Sequence, residues 1–386
     1  MRPFLERLAH LLLEHHRHEM DRIAVVLPGR RAGLHLRKYL AQASGTALWS
    51  PEVLDMGAFV ERATGLTQGG SLELLFLLYD AHRSLNGDRS EPFAEFLEWA
   101  TIAVRDMSEV DAHLLDHAAL YRDLREYHEL DEWSFRLGEL SPGQERLNSR
   151  WRSTGELHRA FAERMAERGI GTSGQLARVC AERAVAGTLA LPWKTIWFAG
   201  LNALDPATTA VIKALQEKGL ARVAWDTDAH YLNDPRQEAG RYLRRSIVEL
   251  GAGELSPQSG IMEHEREIRK VSAPHALAQT TYAAQRLAEL STEERARTAV
   301  VLAEEDLLLP FLEQLPADIG PLNITMGMPL KALPVSGLTD AFLTLLTSSS
   351  PDGVMSLAAL ETLFGHPFLN EGTITSKLIG GLRELE

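Results

Sequence analysis

The chain has 386 residues, 45% of them hydrophobic and 24% charged, a balance that fits a folded globular protein of two or three domains and excludes a disordered or fibrous one. Lys and Arg total 40 against 53 Asp and Glu, so the net charge is −13; the surface as a whole repels nucleic acid and acidic membranes, and any DNA contact needs a local basic patch. The single cysteine, Cys180, excludes an intrachain disulfide, a four-cysteine zinc site and an iron–sulfur cluster within the chain. In Leu176-x-x-Val179-Cys180 it falls on the apolar face of a helix and is expected to be a core thiol. No apolar run reaches the roughly 18–20 residues of a membrane span and no signal peptide is visible, so a cytoplasmic protein without a membrane partner is expected.

The chain opens with an amphipathic helix over 3–18, because Phe4, Leu5, Leu8, Leu11 and Leu12 recur at spacings of three to four. Ile23-Ala24-Val25-Val26-Leu27 predicts a buried strand that ends at Pro28-Gly29. A helix then starts near Arg30 and carries Leu34, Leu36 and Leu40, giving the strand–turn–helix unit of an α/β domain. From Ser71 to Glu167 the pattern is helical, with apolar stripes Leu72, Leu75, Phe76, Tyr79 and Phe93, Phe96, Leu97, Trp99. Residues 106–132 hold nine acids and two arginines and are expected to form a solvated helical face.

Strand patterns return at Thr195-Ile196-Trp197-Phe198-Ala199 and Ala221-Arg222-Val223-Ala224-Trp225. The helix between them opens on Asp205-Pro206, an N-cap followed by proline at the first helical position, so 195–225 is expected to be a βαβ unit with parallel strands. A strand near 267–272, a helix over 275–290, a strand over 298–303 and a helix over 305–315 follow. Gly-, Ser- and Pro-rich stretches at 251–260 and 347–353 are candidate linkers or insertions. The expectation is a discontinuous α/β domain (1–70 and 168–262), a helical insertion (71–167) and a second α/β region from 263.

The most informative chemistry lies in Leu27-Pro28-Gly29-Arg30-Arg31-Ala32-Gly33. From Arg22 through Pro51 there are five basic residues and no acid. Two arginines at a helix N-terminus suit a phosphate group, since backbone N–H groups, the helix dipole and guanidinium forks converge there. A solvated basic helix end is the competing reading. The Gly-Lys-Ser/Thr of a P-loop is missing, and the strand Ile196-Trp197-Phe198 ends in Ala199-Gly200 where an ATPase places acids. Both absences argue against ATP hydrolysis, and no cofactor is expected.

A second candidate is Trp225-Asp226-Thr227-Asp228-Ala229-His230, after a strand. Paired carboxylates there can hold Mg²⁺, as in Asp-x-Asp-x-Thr/Val phosphatases, but His230 stands at the fifth position; turn and cap chemistry explains Asp226 and Asp228 more simply. Glu14-His15-His16-Arg17-His18-Glu19 lacks a zinc-binding His-Glu-x-x-His pattern and is expected to be an exposed helix end. No Gly-x-Ser-x-Gly accompanies the serines and 14 histidines.

Five segments occur in order: Leu27-Pro28-Gly29-Arg30-Arg31-Ala32-Gly33; Phe198-Ala199-Gly200-Leu201-Asn202-Ala203-Leu204; Trp225-Asp226-Thr227-Asp228 with Tyr231-Leu232; Glu238-Ala239-Gly240-Arg241-Tyr242-Leu243-Arg244; and Asn323-Ile324-Thr325-Met326-Gly327-Met328-Pro329-Leu330-Lys331. Together they resemble the N-terminal half of bacterial AddB-like proteins of the PD-(D/E)XK nuclease family, inactivated relatives of superfamily I (UvrD/Rep-like) helicases. The resemblance implies two RecA-like, P-loop NTPase-like domains. The first would be 1–70 plus 168–262, with 71–167 as its helical insertion, and the second would begin at 263. It places Arg30 and Arg31 at helicase motif Ia, whose loop contacts the single-stranded DNA backbone. Residue type alone adds Arg37 and Lys38 as candidate phosphate contacts and Trp49 as a candidate stacking aromatic. Gly29 departs from the pattern, where relatives commonly carry Asn. The implied role is a catalytically inactive scaffold for DNA-end processing in recombinational repair, partnered by DNA and by an active helicase–nuclease subunit resembling AddA. Residues 323–370 look like the start of a domain that continues further, so the chain is expected to be part of a longer protein whose nuclease domain it lacks. A protein-interaction scaffold without DNA binding, and a divergent ATPase or metal phosphoesterase using Asp226 and Asp228, are the alternatives.

Overall fold

The computed structural model describes residues 2–122, 142–263, 265–349 and 354–369, the side chains of 142–153 excepted. The chain divides into two compact units, Met1–Arg266 and Glu267–Glu386. In the first, the unbroken apolar run forms β1 (Ile23–Leu27), and all of it is buried. A strand of this kind needs cover on both faces and neighbours on both edges. β2 (Glu52–Asp55) supplies one edge, and β5 (Thr195–Ala199) followed by β6 (Ala221–Ala224) the other, giving a parallel sheet of order β2-β1-β5-β6. Val25 lies opposite Val53 and Trp197, and Phe198 opposite Val223.

Alternate residues of these strands feed two cores. Ala24, Val26, Ile196, Phe198 and Val223 meet α3 (Met56–Thr64), α7 (Ser173–Ala186) and α8 (Pro206–Glu217), where Phe59 packs edge-on to Phe198 at 5.3 Å. Val25, Leu27, Trp197 and Ala199 meet α1 (Phe4–His16) and α2 (Arg30–Ser44). Leu8, Leu12 and Leu36 are fully buried there, each contributing about 1.5–3 kcal/mol relative to exposure. The result is an α/β domain with helices on both faces of a parallel sheet. The expected βαβ unit is present, with Asp205 Oδ1 accepting from the Thr208 amide at 2.6 Å and Pro206 at the first turn of α8. Strand β2 has no counterpart in the sequence reading, because only two of its four residues are apolar.

Between β2 and β5 the chain makes a long helical excursion. Its entry and exit are clamped by a two-residue parallel pair, β3 (Thr67–Gln68) and β4 (Ile170–Gly171). Its helices α4 (Ser71–Asn86), α5 (Phe93–Ala112) and α6 (Pro142–Glu167) share a core that includes Leu74, Leu78, Phe96, Met107, Phe161 and Met165. The stripe expected on α4 holds for Leu75, which is buried, and Tyr79, which packs against the core, but Leu72 is 70% and Phe76 53% exposed, while Leu74, Leu77 and Leu78 are buried. With Leu at 72, 74, 75, 77 and 78, spacing alone cannot choose the face. Phe76 stacks instead on Phe93 at 5.2 Å. The acidic run is also not wholly a solvated face, since Asp111 is 2% exposed; its residues 123–132 lie outside the described ones.

The stretch 251–260 is neither linker nor insertion. It runs along β6, with the Glu254 amide donating to Val223 O at 3.0 Å and Trp225 Nε1 donating to Gly251 O at 2.9 Å. Of 347–353, residues 350–353 lie outside the described ones. Three short helices complete this unit: α9 (Ala229–Asn233), α10 (Arg241–Leu250) and α11 (Gly260–Glu263).

The second unit holds α12 (Ala276–Glu289), α13 (Thr292–Ala296), α14 (Leu308–Glu313), α15 (Pro334–Ser348) and α16 (Leu357–Phe364) around two small cores. The strands expected at 267–272 and 298–303 do not form. Ile268 is 86% and Val301 89% exposed, and among the described residues of this unit no strand is available to pair with either segment. An apolar run without a neighbour gains nothing from an extended ladder. No helix among the described residues is long and apolar enough to cross a membrane.

Candidate functional site

In open parallel sheets, ligands bind outside the C-terminal strand ends, where strand order reverses. Here the chain steps from β1 to β2 in one direction and from β1's other side to β5 and β6 in the opposite one. The segments emerging at this edge are Pro28-Gly29 after β1, Asp55 at the end of β2, Gly200-Leu201-Asn202 after β5, and Trp225-Asp226-Thr227-Asp228 after β6.

The β1 side is basic. Helix α2 starts at Arg30 with no side-chain cap and no acid in its first turn. Arg30, Arg31, Arg37 and Lys38 are all exposed, and with Leu34 and His35 they occupy one face, opposite the buried Gly33, Leu36 and Leu40. Leu34, one of the apolar positions on this helix, is 65% exposed because it falls on this face. Gly33 sets the approach to β2, since a Cβ there would lie 2.8 Å from Val53 Cγ1. That approach brings Arg30 Nε within 3.4 Å of Asp55 Oδ2, while Asp55 Oδ1 caps α3 by accepting from the Ala58 amide at 2.8 Å. The Arg30 side chain is still 92% exposed, so the pair contributes little stability and leaves the guanidinium at the surface. Trp49 is 81% exposed in the loop leading to β2. Asp55 is a member of this site that sequence reading missed; only the register of β2 against β1 places it there.

The β5–β6 side is an acid-lined pocket of about 300 Å³, bounded by Gly200, Asn202, Asp226, Asp228, Tyr231 and Gly240 among others. Its outer wall, residues 231–237, is held by one guanidinium: Arg244 donates to the carbonyl oxygens of Tyr231, Asp234, Pro235 and Gln237 at 2.6–3.1 Å. Gly240 is required by close approach, because a Cβ there would lie 2.1 Å from Tyr231 O. The start of α1 lies beside this edge, where Phe4 packs on Gly200 and Arg7 donates to Ser256 O at 2.7 Å.

Asp226 and Asp228 have different roles. Asp228 is a cap: its Oδ1 accepts from the His230 amide at 2.9 Å and its Oδ2 from the Ile261 amide at 3.0 Å. Slight desolvation pushes its carboxyl up, but the amides of His230, Ile261 and Gly260 outweigh this and hold it below the ordinary aspartate value. Asp226 reaches solvent at the pocket rim. The surrounding chain raises its pKa by desolvation while Arg7 pulls it down, and its solvent access keeps the energetic cost small. With both Asp228 oxygens engaged by backbone amides, the pair does not present the open carboxylates that a magnesium ion needs. Among the described residues, the three-donor cluster that does exist is elsewhere, at Asp111, His117 and His158.

The histidine-rich end of α1 is not uniformly exposed. His15 and His18 face solvent, but His16 is 8% exposed and accepts a hydrogen bond from Trp197 Nε1 at 3.1 Å. Cys180 is a core thiol as expected, fully buried, and burial pushes its pKa up to about 12.

No protein-family model matches the chain, and no curated protein matches it by sequence. Of the five segments that carry the resemblance, those around Gly200–Asn202, Asp226–Leu232 and Ala239–Leu243 line one pocket, and the segment around Arg30 lies at the same edge of the sheet. The fifth, 323–331, belongs to the second unit.

Proposed function

We propose that this chain is a nucleic-acid-binding scaffold of the inactivated superfamily I helicase type, an AddB-like subunit that grips a single strand or DNA end for a nuclease without hydrolysing ATP. In this reading the sheet of the first unit is RecA-like, 71–167 is its helical insertion, and an active helicase–nuclease subunit is the partner. The observation that carries it is the solvent face of α2 after the first strand: Arg30, Arg31, Arg37 and Lys38 exposed together, at an uncapped helix start, in a segment without acids. In a chain of net charge −13, a face of this sign at the edge where open sheets bind ligands is suited to phosphates.

The test is fluorescence anisotropy of a labelled single strand titrated at low and moderate salt. Arg30→Ala with Arg31→Ala is expected to weaken binding and to lower the salt slope by roughly 0.7 for each phosphate that is no longer neutralised. Unchanged affinity and slope would remove these residues from the interface, and no binding by the parent chain at low salt would remove the reading. A second reading, an interaction scaffold without DNA binding, is favoured by the exposed apolar residues Leu72 and Phe76 on α4; recovery of a helicase-type partner without DNA would support it. The metal-phosphoesterase alternative loses ground because both Asp228 oxygens are already engaged.

A further inference from the structure

We propose that Asp111, His117 and His158 are the ligands of a zinc-class divalent cation that ties the C-terminal end of α5 to the middle of α6. Asp111 and His117 lie six residues apart at the end of α5 and just beyond it, His158 comes from α6, and the three present one donor atom each, all within 4.8 Å of one another. Asp111 Oδ1 lies 2.9 Å from His117 Nε2, and Asp111 Oδ2 lies 3.2 Å from His158 Nε2. The two imidazoles stack with centroids 4.4 Å apart at 29°, so both Nε2 atoms turn to the same carboxylate from one side. A tetrahedral zinc with ligands at about 2.0–2.3 Å needs donors about 3.3 Å apart, a modest rearrangement from these positions. Asp111 and His158 are buried, while the His117 side chain is 36% exposed and leaves a solvent side for a water as fourth ligand.

The surroundings are those of a metal site rather than of a bare ion pair. Tyr121 Oη lies 2.8 Å from His158 Nδ1 and can accept its N–H, which leaves Nε2 as the lone-pair donor. Arg178 Nε stands 2.9 Å from Asp111 Oδ1 but without hydrogen-bond alignment, while its Nη2 is anchored on Val110 O and Leu115 O. Glu182, 3.7 Å from Arg178 Nη1, offsets that guanidinium. A dication among Asp111, Glu182 and Arg178 therefore leaves the cluster at about +1, the charge of zinc on two histidines and one carboxylate. Without the cation the same groups form a proton-bridged cluster, with Nε2–H of each imidazole donated to Asp111. Loading needs both Nε2 lone pairs, so the proton of each neutral imidazole passes from Nε2 to its Nδ1, which in His158 faces Tyr121 Oη. Sequence spacing gives no hint of this set, because 111, 117 and 158 match no short ligand motif.

The test uses the full chain stripped with a chelator and titrated with Co²⁺, then Zn²⁺. One equivalent of Co²⁺ is expected to give the visible absorption of tetrahedral coordination, displaced by Zn²⁺, and zinc at 100-fold over its Kd is expected to raise Tm by roughly 5–10 °C. His117→Ala, at a partly exposed position, is expected to abolish both signals. Tyr121→Phe, which keeps the ring, is expected to weaken Co²⁺ binding about 10-fold by releasing the His158 tautomer. His15→Ala with His18→Ala is expected to change nothing. A folded parent chain with no stoichiometric Co²⁺ spectrum would overturn the assignment, as would a spectrum that survives His117→Ala.

Discussion

His16 ties α1 to the sheet, and the consequence is a pH-dependent stability with a defined sign. Its ring is 8% exposed, meets the Trp197 indole edge-on at 5.9 Å and accepts from Nε1 at 3.1 Å. Burial, then the charges of Arg222 and His15, hold its pKa below the ordinary histidine value of 6.5. Native His16 therefore stays neutral while the unfolded chain takes up a proton as pH falls. Its contribution is complete above about pH 6.5 and is lost as pH drops from there toward the native pKa, at no more than about 1.4 kcal/mol per pH unit. Once protonated, the ring can no longer accept from Trp197. His16→Phe keeps the ring but leaves a fully buried indole N–H unpaired, a loss of about 1–3 kcal/mol or roughly 2–12 °C in Tm for a unit of this size. His16→Gln keeps an acceptor but does not titrate. Urea midpoints followed by tryptophan fluorescence from about pH 5 to 8 separate the two effects. The Phe variant should be less stable than the parent above about pH 6.5 with the gap narrowing toward acid, and both variants should show a flatter acid limb than the parent. His117, whose pKa is also lowered, remains in all three proteins, so only the difference reports on His16. An acid limb of equal slope in parent and Gln variant would refute the argument.

Gly240→Ala should collapse the wall of the acid-lined pocket, because the new methyl would sit 2.1 Å from Tyr231 O; about 1–3 kcal/mol of stability is expected to be lost in a urea titration, and a neutral result would mean that the 231–240 loop is not held as described. Cys180, with a pKa pushed up to about 12 in the core, should be inert to a thiol reagent at neutral pH and release one equivalent on unfolding; native-state labelling at the denatured rate would contradict its burial.

The parts of the fold legible in the sequence were those whose cause is local. β1 is an unbroken apolar pentapeptide, and Asp205-Pro206 caps α8 by chemistry contained in four residues. Parallel pairing of β5 and β6 followed from the helix between them. Cues that depend on tertiary partners failed. β2 is a strand because β1 offers an edge, not because Glu52-Val53-Leu54-Asp55 has strand composition. The segments at 267–272 and 298–303 show the converse, with suitable composition and no edge. Asp111 and His16 were each placed on the wrong side of the surface for the same reason, since charge and periodicity do not report what a distant helix brings. At the candidate site, Arg30 and Arg31 were legible as cations at a helix start, whereas Asp55, Arg7 and Arg244 join through register and long-range packing.

Asp55 offers the sharpest test of the basic face, because its two oxygens do different things. Oδ1 caps α3 and Oδ2 faces Arg30 at 3.4 Å. Asparagine caps a helix about as well as aspartate, so Asp55→Asn should leave stability within about 1 kcal/mol, the exposed ion pair adding little. What it removes is a negative charge beside the basic face of α2. At about 8–10 Å in water, one unit charge acting on one phosphate is worth about 0.4–0.5 kcal/mol, so single-strand affinity at low salt should rise roughly 2-fold. Arg30→Ala changes affinity in the opposite direction through the same pair. A purely structural Asp55 would instead lower stability on substitution and leave binding untouched. Opposite signs for Arg30→Ala and Asp55→Asn, both fading as salt rises, cannot come from a general loss of fold; affinity that falls in both would place the grip elsewhere on the molecule.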